Sequence, residues 1–556
     1  MTQRTLTALR IGNFKAFADT QRIPLKPITL IFGPNSAGKS SFIQSLALAH
    51  EAQFGRDKRG MSRLDVHHTD VGGRSIDLGG FRQYVHRGQT SKRVEWGAEL
   101  DVAGLDAHPL NLLGNAKQIS LTFTIGIELD DQERPVAGAQ PRVEAVEIAA
   151  DGEELLHMSH RRSDENGAIL RLDRLAVKHQ LFQAIIVAII QSYTTTQNVT
   201  VEDMEGSAET IAGLLPELQV RIEQFFPSAL ELPQKESSRS LTEGLLIPVS
   251  KGNRREDIAQ ALRAAFPGLL SEFVTGLSKA FAEELKQLQY LGPLRSFPPR
   301  HLAFAEHEDS NWYAGGGYAW DMVRRNDTVR AAVNDWLGSD KLKTPYELEV
   351  RTLVPLDVIS APLASELENL DAEQDELEPD EDSGGFWVRD RDTDAQRIVS
   401  KLKEVSPDSV SELSLLDKRS NTRVSHRDVG IGISQVLPVL VAAYGSRGKL
   451  LAMEQPEIHL HPALQAELGD VFIESAFGER QNTFILETHS EHLILRLLRR
   501  IREGKIRSDD IAVFYVDPLA RGSRFTELRI DDEGDFIDEW PGGFFEEAFH
   551  EKFAGR

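Results

Sequence analysis

The stretch that most limits what this chain can fold into lies near its start: Ile28-Thr29-Leu30-Ile31-Phe32-Gly33-Pro34-Asn35-Ser36-Ala37-Gly38-Lys39-Ser40-Ser41. An apolar, β-prone run leads into the pattern G-x-x-x-x-G-K-S, and Phe42, Leu46 and Ala47 follow at helical spacing. A phosphate-binding loop needs that order of strand, glycine-rich turn and helix. Glycine lets the main chain wrap closely round a phosphate, and the inward-turned N–H groups form a nest for anions. The positive end of the helix adds to it. Lys39 is expected to reach the β- and γ-phosphates. Ser40 is expected to hold Mg2+, which takes few protein ligands and fills its shell with water and phosphate oxygens.

Other features set bounds. The 556 residues are enough for two to four structural units. There is no cysteine, which excludes disulfides, thiolate metal sites and cysteine catalysis and fits a cytoplasmic setting. The N-terminus lacks a secretory apolar region, and the longest aliphatic run, Ala184 to Ile190, is too short to cross a bilayer, so no membrane partner is expected. The formal net charge of -23 disfavours a protein that coats nucleic acid, but leaves a local basic groove open. Ten of the acidic residues fall within 366–382, a stretch without Lys or Arg that reads as a solvated loop.

Along the chain, residues 1–172 hold the phosphate loop and runs that alternate apolar and polar residues, at Arg93 to Val102, Ile119 to Leu129, Val143 to Ile148 and Ala168 to Leu172. Such alternation marks half-buried antiparallel strands. Residues 173–289 read as a helical insertion. Ile258, Leu262, Phe266, Leu269, Phe273, Leu277, Phe281 and Leu285 recur at helical spacing, with Pro267-Gly268 expected to break the middle. Residues 290–427 return to mixed structure around the acidic loop, and 428–556 form the last part. The expected fold class is α/β: a mixed sheet with a phosphate-loop core, an antiparallel β subdomain and a helical insertion.

Hydrolysis of ATP requires more than this loop: a strand-end carboxylate to organise Mg2+ and a group to orient water. Glu454 ends the apolar run Leu450-Leu451-Ala452-Met453. Gln455-Pro456-Glu457-Ile458-His459-Leu460-His461-Pro462 follows it, and Thr488-His489-Ser490 ends a second apolar run. With Asn13-Phe14-Lys15 at the front, these motifs resemble ABC-class ATPases of the RecF, SMC and overcoming-lysogenization-defect group. The Glu-Gln-Pro-Glu-Ile-His-Leu-His-Pro stretch and Trp540-Pro541-Gly542-Gly543-Phe544-Phe545 are similar to one bacterial subgroup of AAA-type ATPases. The resemblance implies an ABC-type ATPase head with ATP and Mg2+ as cofactors. Gly33, Asn35, Ser36, Gly38, Lys39, Ser40 and Ser41 would bind phosphates. Ser40 and Glu454 would hold the metal. Gly430, Gly432, Ser434 and Gln435 would form a signature loop that meets the γ-phosphate on a second subunit, giving a homodimer or higher oligomer. His489 would be the switch histidine.

At Gln455 the chain departs from the family, which usually places a glutamate there. A glutamine orients water but takes no proton. Three readings stand: a natural variant assisted by Glu457 or another carboxylate, a substituted hydrolysis trap, or a slow, switch-like ATPase. Gln83 and His86, or Arg295, are the candidates for the γ-phosphate-sensing Q-loop element. His459 and His461 read as packing at a strand-to-helix turn rather than as metal ligands. Arg496 to Arg507 reads equally as a DNA-facing helix or as a solvated one. No nuclease signature appears, and about 65 residues follow His489. A separately encoded effector, a nuclease or toxin, is therefore expected, with the chain as sensor or scaffold in bacterial anti-phage defence. The alternative is an ATP-dependent DNA clamp for repair or recombination.

Overall fold

The computed structural model describes residues 6–55, 62–105, 116–160, 169–193, 198–222, 224–231, 253–295, 312–338, 341–353, 360, 363–365, 368, 398, 400, 410–425, 429 and 431–541. The chain divides into two compact units: one of Met1–Arg295, Ser310–Gly316 and Ala442–Arg556, the other of Ser296–Asp309 and Gly317–Val441.

The first unit carries two large sheets among the described residues. The longer is antiparallel and nine-stranded. Its strands are β1 (Leu6–Gly12), β2 (Gln21–Pro24), β6 (Val94–Asp101), β7 (Gln118–Gly126), β8 (Arg142–Ala150), β9 (Glu153–Ser159), β10 (Ile169–Leu175), β11 (Gln219–Arg221) and β12 (Leu230–Glu231). They lie in the spatial order β12-β11-β10-β9-β8-β7-β6-β1-β2. A two-stranded ribbon, β4 (His68–Thr69) with β5 (Gly73–Asp77), and the one-turn helix α2 (Phe81–Tyr84) precede β6 in the chain. The expected alternation is present: Ile119, Leu121, Phe123 and Ile125 of β7 are buried, with half-buried residues between them. Phe123 stacks on Phe225 with centroids 4.3 Å apart. The main-chain N–H groups of Phe225 and Phe226 both donate to Gln53 Oε1, at 3.1 Å each, which ties this core to the helix behind the phosphate loop.

Three helices lie in the segment expected to be helical: α3 (Gln180–Tyr193), α4 (Val201–Leu214) and α5 (Arg254–Lys286). Two corrections follow. β11 and β12 interrupt the helices and extend the antiparallel sheet. Pro267 does not break α5, which runs through it as one helix of 33 residues. Its apolar stripe, Ile258, Leu262, Phe266, Leu270, Phe273, Leu277 and Phe281, stays buried and in phase on both sides of the proline. Burial of that stripe outweighs the missing N–H and the poor helix propensity.

The second large sheet of this unit has six strands. β3 (Ile28–Phe32) sits between β18 (Thr483–Glu487) and β19 (Ile511–Leu519), parallel to both. β17 (Leu450–Glu454) and β13 (Leu288–Leu291) continue the parallel set, and β20 (Gly522–Glu527) closes the other edge antiparallel. The spatial order is β13-β17-β18-β3-β19-β20. β3, β17 and β18 are buried along their whole length, as parallel strands covered on both faces are. α1 (Lys39–Phe54) follows β3. The two sheets are laced together where Gln21 of β2 meets β20: its amide donates to Ser523 O at 2.9 Å and accepts from Phe525 N at 2.6 Å.

The second unit holds α6 (Gly317–Arg325), α7 (Asp327–Leu337) and a three-stranded antiparallel sheet, β14 (Tyr346–Leu353), β15 (Val410–Asp417) and β16 (Thr422–Val424). Asn334 of α7 pairs with the main chain of Leu348 in both directions, at 2.7 and 3.0 Å. α8 (Ile431–Gly445) begins in this unit and ends in the first. The acidic stretch 366–382, apart from Glu368, lies outside the described residues, as does the end of the Trp-Pro-Gly-Gly-Phe-Phe motif. Among the described residues no helix is long and apolar enough to cross a membrane.

Candidate functional site

The phosphate loop has the local geometry its residues demand. Gly33 has φ 142°, and a Cβ there would stand 2.6 Å from Val516 O. Gly38 has φ 106°, and a Cβ there would stand 2.4 Å from the Ala16 side chain. Both positions exclude other residues. Pro34, Asn35 and Ser36 are exposed on the crest of the loop, while Lys39 and Ser41 are buried at its foot. Ser523 Oγ donates to Ala37 O at 2.5 Å, so β20 braces the loop from outside.

Lys39 folds beneath the loop. Its ammonium donates to Gly33 O at 3.0 Å and Pro34 O at 2.9 Å, and lies 3.9 Å from Glu487 Oε1. Burial pulls its pKa below the ordinary lysine value, and Glu487, Glu454 and Glu457 oppose that shift. Ser40 Oγ donates to Glu487 Oε2 at 2.6 Å.

Three parallel strands end here side by side. Glu454 of β17 and Glu487 of β18 are register partners, and Glu487 is in register with Ile31 of β3. Both carboxylates are buried. Tyr290 of β13 donates to Glu454 Oε1 at 3.0 Å. Burial and then the neighbouring Glu487 raise the Glu454 pKa to about 7. Burial also raises that of Glu487, against its hydrogen bond from Ser40 and the charge of Lys39.

The turn after β17 aims the remaining candidates. Gln455 has φ 47°, and its N–H donates to Glu487 O at 2.7 Å. Arg295, itself buried, donates to Gln455 O at 3.0 Å and to Glu454 O at 3.4 Å, pinning the turn. Glu457 Oε1 accepts from the main-chain N–H of His489 at 2.7 Å, and its Oε2 is buried without a hydrogen bond of full geometry, while the neighbouring Thr488 side chain favours the charged carboxylate. Burial raises the Glu457 pKa and lowers that of His489, which Lys39 lowers further, so both shifts favour the neutral forms. His489 Nε2 is also buried without a partner.

Lys39, Ser40, Glu454, Gln455, Glu457 and His489 therefore share one site, built from residues more than four hundred positions apart in the chain. Gly432, Ser434 and Gln435 stand at the start of α8 in the second unit, and Gly430 lies outside the described residues. Of the Q-loop candidates, Arg295 is on the Glu454–Pro456 turn. Gln83 lines a cavity of about 920 Å³ with Lys15, Asp77, Arg82 and Arg87. His86 Nδ1 lies 2.7 Å from Lys15 O. His461 is the N-cap of α9 (Pro462–Phe477), accepting from Ala463 N at 3.3 Å, and His459 is exposed. Among the described residues no group of three His, Asp or Glu forms a metal cage. The donor set of Ser40, Glu454 and Glu487 suits an ion that completes its shell with phosphate and water, as Mg2+ does.

Glu487 and Tyr290 escaped the reading of the sequence. Glu487 ends an apolar run as Glu454 does, and that likeness was the available signal. Nothing local marks Tyr290.

Residues 219–496, half of the chain, match the family described as "AAA domain, putative AbiEii toxin, Type IV TA system". Residues 8–147 match a second AAA-domain family, and residues 506–554 match a protein of unknown function (DUF3696). No curated protein matches the chain. Similar solved structures include an Smc head bound to the C-winged helix domain of ScpA, with 10% identity, a TM-score of 0.33 and coverage of 94% of this chain and 98% of that one. A second is an Smc head with an extended coiled coil bound to the C-terminal domain of ScpA, from Pyrococcus furiosus, with 10% identity, TM-score 0.31 and coverage of 95% and 97%. A third is the SMC head domain from Thermotoga maritima, with 8% identity, TM-score 0.32 and coverage of 95% and 100%. The family match carries further than these slight structural likenesses: matched over half its length, residues 219–496, the chain belongs to this AAA-domain ATPase family.

Proposed function

We propose that this chain is an ABC-class ATPase that holds MgATP at the phosphate loop and uses the bound state to control a separate effector protein in bacterial anti-phage defence. The observation that carries the nucleotide reading is the meeting of Lys39 and Ser40 with Glu454 and Glu487 at the ends of three neighbouring strands. The loop N–H groups and the Lys39 ammonium would neutralise the phosphates, and Ser40 and Glu454 would hold the metal. When bound, Mg2+ would withdraw charge from the β- and γ-phosphate oxygens. The Gln455 amide would orient the attacking water. Glu457, with one buried carboxylate oxygen lacking a hydrogen bond of full geometry, would take the proton that glutamine cannot accept, and neutral His489 would donate from Nε2 toward the γ-phosphate side. The segment Gly430 to Gln435 would complete the site of a second copy, making a homodimer or larger homo-oligomer.

The defence reading is supported by the family description, which names a putative toxin of a type IV toxin–antitoxin system. A DNA clamp draws no support from the basic helix α10 (Glu491–Arg502). Arg496 pairs with Glu467 and Asp470, Arg500 with Asp470 and Glu503, and Arg499 with Glu503. The test is ATP turnover and light scattering by the chain, Lys39→Ala and Gln455→Glu. Turnover and ATP-dependent association by the chain, both lost in Lys39→Ala, are expected. A chain that stays monomeric with MgATP and hydrolyses nothing, even as Gln455→Glu, would overturn the ATPase reading.

A further inference from the structure

Glu487 has no place in the phosphate-loop pattern or in the strand-end acid that follows it. We infer that Glu487 is a second carboxylate of the divalent-metal site, so that the ion on Ser40 is held by two strand-end acids rather than by Glu454 alone. The inference rests on the nucleotide reading above and extends it.

Geometry comes first. Ser40, the residue whose hydroxyl faces the metal in a phosphate loop, gives its hydrogen bond to Glu487 Oε2 at 2.6 Å. Two oxygens that share one octahedral Mg2+ stand about 3 Å apart, so a small outward step from this hydrogen bond would admit the ion. Register is the second ground. Glu454 and Glu487 lie abreast on parallel strands, both more than nine-tenths buried. Like charges side by side in a sheet are destabilising, and burial makes them more so. Two ammoniums act on the pair and both are bonded elsewhere: Lys39 donates to two loop carbonyls while standing 3.9 Å from Glu487, and Lys15, whose charge acts on Glu454, donates to Gln44 Oε1 at 2.6 Å. Neither ammonium donates a hydrogen bond to either carboxylate, whereas a divalent ion would bond to both. The third ground is independent of that pair. Glu457 Oε2 is buried without a hydrogen bond of full geometry in the same site, beside the main chain of His489. Tyr290 fixes Glu454 from its far side, at 3.0 Å, and leaves the side toward Glu487 for the ion.

The chemical class of the ligand follows from the donors. Two carboxylates and a hydroxyl are hard oxygen ligands, suited to Mg2+ or Mn2+ with water and phosphate oxygens filling the shell.

The experiment uses Mn2+ as probe and electron paramagnetic resonance to count free and bound ion on the full chain, with and without a non-hydrolysable ATP analogue. A fluorescent nucleotide reports nucleotide affinity separately, in chelator. Glu487→Gln is expected to weaken Mn2+ binding at least tenfold while leaving metal-free nucleotide affinity within about twofold. Glu487→Asp is expected to recover part of the metal affinity. A cooperative thermal transition in chelator checks that Glu487→Gln is folded at the assay temperature. Unchanged Mn2+ affinity in Glu487→Gln, or a loss of metal-free nucleotide affinity matching the loss of Mn2+, would overturn the inference and leave Glu487 a brace for Ser40. If the unmodified chain binds neither nucleotide nor Mn2+, the nucleotide reading itself has failed, and the two failures are thereby told apart.

Discussion

Glu454 makes the site sensitive to pH in a direction that can be worked out. Its pKa stands at about 7 against an ordinary 4.5, first because it is buried and then because Glu487 lies beside it. The raised value means that the folded chain binds this proton more tightly than the unfolded chain. Without ligand, the stability linked to Glu454 is present below about pH 4.5 and is lost as pH rises through about 7. Each tenfold difference in proton affinity between the folded and unfolded chain is worth roughly 1.4 kcal/mol, so the loss is about 3 kcal/mol at most. Metal binding has the opposite slope, because only the ionised carboxylate accepts a cation. Glu454 is ionised in about one molecule in ten at pH 6 and about nine in ten at pH 8, so Mg2+ affinity in the nucleotide complex should rise about tenfold over that interval. The terminal phosphate of the nucleotide titrates in the same window, with a pKa of about 6. The informative quantity is therefore the difference between the unmodified chain and Glu454→Gln, by titration calorimetry at pH 6, 7 and 8. Glu454→Gln should bind Mg2+ more weakly with a shallower slope, and without ligand it should lose less melting temperature between pH 5 and 8. The same tenfold slope in both proteins, or an apo stability that climbs with pH in the unmodified chain only, would refute the reasoning.

Other expected outcomes follow from single contacts. Gly38→Ala forces a side chain into a left-handed position 2.4 Å from Ala16, and should lower stability by at least about 1 kcal/mol in denaturant melts and abolish nucleotide binding. Arg295→Met removes the guanidinium that pins the Gln455 turn; a loss of about 3 kcal/mol in denaturant unfolding is expected, with a fall in ATP turnover. Asn482→Ala takes the side-chain partner from Ser446 O and Lys449 N and leaves Ala443 O with Ser475 Oγ alone, and should cost about 2 kcal/mol in the same assay. Pro267→Ala restores an N–H inside a continuous helix and should raise stability by up to about 3 kcal/mol; a lower melting temperature would show that the ring's packing matters more than the lost hydrogen bond.

The parts of the fold that were legible in the sequence are those whose signal is local. β3, the loop and α1 sit side by side in the chain, and β7 and β8 announce themselves by alternation. β11 and β12 are only three and two residues long, too short to show any period, and exist because β10 offers an edge to pair with. Pro267 misled because a rule about one residue was set against a buried stripe of seven. In the site, Glu454 was visible because a recognisable run of residues follows it. Glu487 bears on Ser40 only because β18 lies next to β3, and strand order is settled by packing between segments far apart in the chain. The same holds for Tyr290 and Arg295, whose roles come from β13 lying beside β17.

That strand order also sets a timetable. β3 emerges from the ribosome well before either of its neighbours, since β18 and β19 both come from residues after 482. At about 5–20 residues per second, roughly 20 to 90 seconds of synthesis separate the phosphate loop from the strands that hold it and the acids that complete it. A prematurely terminated chain would carry Gly33 to Ser41 with no metal acids and no sheet to brace the loop. If the chain binds nucleotide as proposed, binding would report that it has been made through Glu487, and a partner that recognises only the nucleotide-bound form would not engage a fragment.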